Sequence, residues 1–197
     1  DSVGGSLAES LNPTFLNLLL SALPESAVLR SPDERRPYEC DGLSGYRRLP
    51  GVVVLPDTLE QVRSVMELCQ AYSVPVVARG AGTGLSGGAT PHPEGVLLSM
   101  ARFNRILSVD RLACTARVQP GVRNLAISEA VAAHGLYYAP DPSSQVACTI
   151  GGNVAENAGG VHCLKYGLTV HNVLAAEVVL MDGEVIEIGG ETLDQPG

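Results

Sequence analysis

Hydrophobic residues recur along the chain with one spacing typical of helices and another typical of buried strands. Near the start, Asn12 and Pro13 form an N-cap and first-turn pair before apolar residues at helical spacing. These residues are Phe15, Leu16, Leu19, Leu20 and Leu23. The pattern predicts a short amphipathic helix, and the polar, charged residues from Ser31 to Ser44 predict a loop.

The next segment predicts a strand, a helix and a second strand. Val52–Leu55 is a short apolar run, typical of a buried strand. Thr58 and Gln61 form a capping box, which opens a helix with an apolar stripe of Val62, Val65, Met66 and Cys69. Pro75–Ala78 is the second strand, and it runs directly into a glycine-rich loop over 79–89.

The rest of the pattern predicts three short strands, a helix and a hairpin. The strands are Val96–Met100, Ile106–Asp110 and Thr115–Gln119, and the helix is Asn124–His134, closed by Gly135. Asn172–Met181 and Glu184–Ile188 flank the dipeptide Asp182-Gly183, which favours a two-residue hairpin turn.

Composition and charge exclude several classes of partner. The 197 residues are 45% hydrophobic and 17% charged, which predicts a globular protein with a sizeable core. The net charge is −8, and Lys165 is the single basic residue beyond Arg123, so nucleic acid is not an expected partner. No apolar run reaches the roughly 18 residues of a membrane helix, so no transmembrane segment is expected. Five cysteines at long spacings, without C-x-x-C, favour a reducing, cytoplasmic compartment.

The first candidate site is the loop Arg79-Gly80-Ala81-Gly82-Thr83-Gly84-Leu85-Ser86-Gly87-Gly88-Ala89. Glycine tolerates positive φ and a close approach, so successive N–H groups can converge on a phosphate; the alternative is a flexible surface turn. Gly82-x-Gly84-x-x-Gly87 also matches the nicotinamide-dinucleotide fingerprint, which requires a helix after its third glycine. The prolines Pro91 and Pro93 exclude that helix.

A second candidate site begins at Pro140-Asp141-Pro142-Ser143-Ser144 and continues over Thr149–Gly160. Two Gly-Gly pairs bracket one short turn, and the first pair would supply free N–H donors at a helix start. Asn153 and Asn157, four apart, would share one face and offer amide groups to a ligand. The alternative is a tight connection stabilised by Asn in left-handed conformations. The presence of two such loops favours a ligand site.

Together with Lys165-Tyr166-Gly167-Leu168-Thr169, these segments resemble the FAD-binding half of the vanillyl-alcohol oxidase (p-cresol methylhydroxylase) superfamily. Within it, the similarity is closest to the glycolate oxidase large flavin subunit and D-lactate dehydrogenases, and it covers Tyr46 to Ile188. The resemblance implies an α+β, PCMH-type FAD-binding domain of two small subdomains with the diphosphate between them. We expect a lead-in over 1–45, a first subdomain over 46–111 and a second over 112–197, incomplete at its C-terminus.

The resemblance also implies which residues bind FAD. Those around the diphosphate would be Arg79, Gly80, Ala81, Gly82, Thr83, Gly84, Leu85, Ser86, Gly87 and Gly88. Those near the flavin and its ribityl chain would be Pro140, Asp141, Ser143, Thr149, Ile150, Gly151, Gly152 and Asn153, with Asn157, Gly159 and Gly160 completing that wall. Covalent relatives have a histidine where this chain has Thr83, so we expect non-covalent FAD.

In such enzymes a 2-hydroxy acid loses its α-hydrogen as a hydride to flavin N5 while a base takes the hydroxyl proton. We therefore expect the FAD-binding portion of a flavin-dependent 2-hydroxy-acid dehydrogenase or oxidase, of glycolate or D-lactate type. No catalytic residue is predicted here, because the family's substrate cap domain is absent. The alternative is a folded, non-catalytic fragment without bound FAD; a nicotinamide-dependent dehydrogenase ranks third.

The resemblance further suggests partners and a location. It implies a second flavin subunit and an iron–sulfur subunit, with the complex at the inner face of a bacterial membrane. The hairpin at 172–188, with no later strand to cover it, suggests self-association of the chain. No metal site is predicted, because His162, Cys163 and His171 lack a fourth ligand at a suitable spacing.

Overall fold

The computed structural model describes residues 11–190, which fall into two compact units. Among these residues, unit 1 contains 11–79, together with Gly84–Ser99 and Val179–Glu184. Unit 2 contains Gly80–Thr83, Met100–Val178 and 185–190. Both units combine helices with strands, so the α+β prediction is confirmed. The predicted domain limits at residues 45/46 and 111/112 stay predictions.

Unit 1 is built around a four-stranded sheet. In sheet order the strands are β1 (Val28–Leu29), β2 (Val52–Val54), β4 (Val96–Ser99) and β3 (Val76–Arg79). β1 is antiparallel to β2, whereas β2 and β3 both run parallel to β4, which lies between them. β2 and β4 are buried at every position. A parallel strand covered on both faces can be apolar throughout, which explains the uninterrupted hydrophobic runs.

The two long helices of unit 1 begin at the predicted caps. In α1 (Pro13–Ala22), Asn12 Oδ1 accepts the Thr14 N–H at 2.8 Å. In α3 (Leu59–Ala71), the Thr58 hydroxyl accepts the Gln61 N–H at 3.2 Å, and the predicted apolar stripe is buried. The reciprocal half of the capping box is shifted, because Gln61 Oε1 accepts from Asp57 N–H at 3.0 Å. Burial raises the pKa of the Cys69 thiol to about 12, so this core cysteine stays protonated.

The predicted loop over 31–44 contains a short helix, so that prediction was wrong in part. α2 is Pro32–Arg35, and a 3-10 turn, Arg36–Tyr38, follows it. The Ser31 hydroxyl accepts the Glu34 N–H at 3.3 Å, and Glu34 Oε2 accepts the Ser31 N–H at 3.0 Å. This capping box, with proline in the first turn, forms a helical turn without any apolar stripe.

Unit 2 contains the antiparallel pair β5 (Ile106–Asp110) and β6 (Thr115–Val118) and three helices. The helices are α4 (Asn124–Val131), α5 (Ile150–Glu156) and α6 (Cys163–Tyr166). A 3-10 turn continues α4 to His134, and Gly135 ends it with φ 69°, as predicted. A small buried cluster of Val122, Ile127 and Ile150 joins α4 to α5.

The final hairpin forms, but its turn has three residues rather than two. Its strands are β7 (Ala175–Val179) and β8 (Val185–Gly189). Leu180 N–H donates to Glu184 O at 2.8 Å, so Met181, Asp182 and Gly183 form the loop. Gly183 has φ 83°, the left-handed conformation that three-residue hairpin loops place at glycine. Within residues 11–190, no helix is long and apolar enough to cross a membrane.

Candidate functional site

The first glycine loop starts where β3 ends, at a buried arginine. Arg79 is 9% exposed, its Nη1 donates to Cys40 O at 2.6 Å, and its guanidinium lies 5.6 Å from the Tyr38 ring centroid. Burial lowers the pKa of Arg79, and the nearby Asp41 opposes that shift. Cys40 thus holds one nitrogen of the Arg79 guanidinium inside unit 1.

Two glycines of this loop adopt a backbone conformation that L side chains rarely tolerate. Gly82 has φ 70° and Gly87 has φ 78°. No helix follows Gly87, since residues 80–95 contain none. The helical context that the nicotinamide fingerprint requires is therefore missing from this part of the chain, as the prolines predicted.

Within unit 2, the start of this loop lies against the second glycine-rich element. A Cβ at Gly80 would overlap the Thr149 hydroxyl oxygen and lie 3.8 Å from Gly152 Cα. Thr149 is the N-cap of α5 and is 6% exposed. The structure thus brings together residues of both glycine-rich elements, and a side chain at position 80 would displace the Thr149 hydroxyl.

Two polar side-chain atoms of the second element are buried without a hydrogen-bond partner among residues 11–190. They are Thr149 Oγ1 and Asn153 Nδ2, and Asn153 is 2% exposed. A buried polar group left unpaired costs roughly 1–3 kcal/mol, so most such groups in folded proteins have a hydrogen-bond partner. The hydroxyl and the amide fit a polyhydroxylated, anionic ligand such as FAD, whose ribityl and phosphate oxygens would pair with both.

The first Gly-Gly pair does not supply all the free donors that were predicted. Ile150 N–H donates to Val122 O and Gly151 N–H to Pro120 O, each at 2.8 Å. A Cβ at Gly151 would lie 2.7 Å from Pro120 Cβ, so this glycine serves close packing. The sequence could not show that the chain at 120–122 would pair with these donors.

Asn153 and Asn157 do not share one face, so that prediction was wrong. Asn157 ends α5 with φ 48° and ψ 51°, and this left-handed turn takes its side chain off the helix. Its Oδ1 accepts the Val170 N–H at 3.1 Å, and its side chain is exposed whereas Asn153 is buried. The left-handed asparagine of the alternative interpretation is therefore present at position 157.

Asp141 forms a second cluster with Gly160 and a residue that the sequence analysis did not assign. Its Oδ2 lies 2.6 Å from His162 Nδ1, and its Oδ1 accepts the His162 N–H at 3.3 Å. A Cβ at Gly160 would overlap the Asp141 carboxylate and carbonyl oxygens. The hydrogen bond from the His162 ring lowers the pKa of Asp141, which stabilises the carboxylate. In the sequence, this contact is indicated only by the position of His162, two residues after the pair Gly159-Gly160.

The remaining predicted residues occupy different surroundings. Pro140 is buried, and its carbonyl accepts from the Nδ2 of Asn124, a 1% exposed residue that the sequence analysis missed. Gly159 packs on Leu168, whereas the Ser143 side chain is exposed. A cleft of about 470 Å³ in unit 2 is lined by Asn104 and Arg123 among others, and by none of the predicted cofactor residues.

Comparison with known proteins identifies the family. Residues 50–189 match the FAD binding domain family. Over all 197 residues the chain is 58% identical to glycolate oxidase subunit GlcD of Escherichia coli, and it covers 40% of that protein. It is 43% identical over 142 residues to a D-lactate dehydrogenase of Archaeoglobus fulgidus, a match that covers 72% of this chain and 32% of that protein. The chain thus spans less than half the length of these relatives.

Solved structures confirm the fold. Alkyldihydroxyacetonephosphate synthase superposes with a TM-score of 0.80 at 24% identity, covering 90% of this chain and 38% of that one. p-Cresol methylhydroxylase superposes with a TM-score of 0.72 at 22% identity, covering 91% and 36%. The chain belongs to the FAD binding domain family and has the p-cresol methylhydroxylase type of FAD-binding fold.

Proposed function

We propose that this chain supplies the FAD-binding part of a flavin-dependent 2-hydroxy-acid dehydrogenase or oxidase, of the glycolate or D-lactate type. Its similarity to proteins named glycolate oxidase subunit GlcD and D-lactate dehydrogenase supports this reaction class. The observation that carries the proposal is the buried, unpartnered Thr149 Oγ1 against Gly80, together with Asn153 Nδ2. When bound, FAD supplies the acceptor at N5 for the hydride from the substrate's α carbon.

All but one of the predicted residues have a role in this proposal. The N–H groups of Arg79–Gly88 hold the diphosphate, because oriented backbone dipoles bind an anion without net positive charge. Pro140, Asp141, Ser143 and Thr149–Asn153 face the ribityl chain and flavin, and Gly159 and Gly160 complete that wall. Asn157 is left out of it, because its side chain binds the Val170 N–H. Thr83 offers no imidazole for a covalent bond, so FAD is held non-covalently. Catalytic proton transfer is assigned to none of the described residues.

The proposal extends to the assembly in which the protein acts. One relative is by name a subunit, which supports a complex of several chains. We propose that a second flavin subunit and an iron–sulfur subunit complete it, at the cytoplasmic face of a bacterial membrane. We also propose that the chain self-associates, and light scattering showing a clean monomer at high concentration would contradict this.

The test of the cofactor is a visible absorption spectrum after FAD is added and the protein is desalted. A retained two-band flavin spectrum is expected, and acid precipitation should leave a yellow supernatant because FAD is not covalently bound. Thr149→Val removes the unpartnered hydroxyl with little change in shape, and it should weaken FAD binding about three- to tenfold. Thr115→Val, in β6, is the matched control. A colourless desalted protein would favour the alternative, a folded fragment that does not retain FAD.

The substrate class needs its own measurement. Dye reduction by the full-length protein should be faster with glycolate or D-lactate than with L-lactate. Reduction driven by a nicotinamide cofactor, or retention on an immobilised NAD analogue, would instead favour the nicotinamide-dependent alternative.

A further inference from the structure

The segment between α2 and β2 has no role in the cofactor proposal, yet hydrogen bonds link its two ends. Arg35 is fully buried, and its Nη1 donates to Pro50 O at 2.6 Å and to Gly51 O at 2.9 Å. Arg48 N–H donates to Glu39 O at 2.8 Å. A buried guanidinium keeps such partners, because an unpaired one is strongly unfavourable. The residues between these hydrogen bonds therefore hold a defined position.

The middle of this segment, Tyr38–Leu43, contacts Arg79, the first residue of the glycine loop. Cys40 O accepts from Arg79 Nη1 at 2.6 Å, and the Tyr38 ring lies under the guanidinium at 5.6 Å. Both groups hold the Arg79 side chain inside unit 1. The end of β3 is thereby fixed from outside the sheet.

Tyr38–Leu43 also contacts the far end of the same loop. Asp41 Oδ2 accepts the Ala89 N–H at 3.4 Å, while Asp41 Oδ1 accepts the Leu43 N–H at 2.9 Å. Leu43 Cδ2 lies 3.7 Å from the position of a Cβ on Gly87. Asp41 is only 5% exposed, and its charge is balanced by the nearby Arg79. One short segment thus holds both flanks of the loop.

We propose that Tyr38–Leu43 is a positioning element for the diphosphate loop. It fixes Arg79 and Ala89 before the ligand arrives, so the N–H groups between them lose little conformational freedom on binding. Asp41 acts through Ala89 and does not touch the diphosphate. This inference rests on the proposed FAD function, but the order of the loop without ligand can be measured separately.

The experiment compares two variants of the chain with a matched control. Asp41→Ala removes the acceptor for Ala89, and Tyr38→Leu removes the ring under Arg79. Glu60→Gln is the control, because Glu60 is exposed in the first turn of α3, outside this segment. Hydrogen–deuterium exchange reports the order of residues 79–90 without FAD, and flavin fluorescence titration reports affinity. Circular dichroism confirms that each variant is folded.

In Asp41→Ala, exchange over 79–90 should rise and FAD affinity should fall by about ten- to a hundredfold, as expected for a lost charged hydrogen bond. In Tyr38→Leu, exchange should also rise, and FAD affinity should fall by about two- to thirtyfold, as expected for a lost cation–π contact. Glu60→Gln should match the wild type in both. Unchanged exchange in both folded variants would overturn the proposal, as would faster exchange with unchanged affinity. A wild type that binds no FAD would instead count against the proposed function, while the exchange data would still report on the segment.

Discussion

The space around each glycine decides which of them the fold requires. At Gly80 a Cβ would overlap the buried Thr149 hydroxyl, whereas at Gly45 nothing lies within 4 Å. Gly80→Ala should therefore lower the free energy of unfolding by about 1–3 kcal/mol, since overpacking forces neighbours to shift. Gly45→Ala should change it by less than about 0.5 kcal/mol. Urea denaturation of both variants measures the difference, and equal stabilities would refute the close approach of Gly80 to Thr149.

The Asp141 carboxylate and the His162 ring predict a specific pH dependence. The pKa of Asp141 is lowered chiefly by the His162 side-chain hydrogen bond. A carboxyl group with a lowered folded-state pKa contributes stability above its ordinary pKa, and this contribution is lost as pH falls through the folded value. His162→Ala should raise the pKa of Asp141. The free energy of unfolding of this variant should converge with that of the wild type at low pH.

The carboxyl carbon NMR signal of Asp141, followed against pH, gives this measurement. His134→Ala is the control, because His134 is an exposed histidine in the 3-10 turn after α4. An Asp141 titration that is the same in His162→Ala and wild type would show that the 2.6 Å contact does not persist in solution.

Among the secondary-structure elements, those with an apolar pattern were predictable and those held by polar contacts were not. α3 and β4 follow from stripes and runs of buried residues, which report directly on burial. α2 was missed because its first turn is stabilised by Ser31 and Glu34 rather than by an apolar face. The dipeptide Asp182-Gly183 predicts a hairpin, but the same dipeptide occurs in both two- and three-residue hairpin loops.

The hairpin turn predicts how backbone strain and crowding combine. Gly183 has φ 83°, and a Cβ there would lie 2.6 Å from Glu67 Cγ. Gly135 has φ 69° with nothing within 4 Å of its Cβ position. Gly135→Ala should cost about 1–2 kcal/mol from the left-handed backbone alone, and Gly183→Ala should cost more. Thermal or urea unfolding measures both.

The excess at Gly183 should vanish in the double variant with Glu67→Ala, which removes the crowding side chain. A persistent excess would place the cost in the turn itself and not in the contact with α3.

Across the whole molecule, the sequence contains the motifs of the candidate site but does not reveal how they are arranged. The glycine-rich loops and the flanking Pro-Asp-Pro segment are contiguous motifs, so they can be recognised in the sequence alone. The pairing of Asp141 with His162, 21 positions apart, and of Gly80 with Thr149 depends on tertiary folding. Asn157 was misjudged because helical spacing does not reveal a left-handed residue that ends the helix.

The distribution of charge over the molecule predicts how salt affects FAD binding. The chain carries −8, and Arg79, the first residue of the loop, is buried against Cys40 and Tyr38. If backbone dipoles hold the diphosphate, there is no ion pair between FAD and a surface cation for salt to screen. Salt should then screen only the weak repulsion between FAD and an acidic protein.

Between 0.05 and 0.5 M NaCl, the FAD dissociation constant should change by less than about threefold and should fall rather than rise. Flavin fluorescence titration measures this constant, with the exposed Arg111→Gln as a variant expected to behave like wild type. An affinity that drops tenfold or more with salt would show that surface arginines, and not the loop's N–H groups, hold the diphosphate.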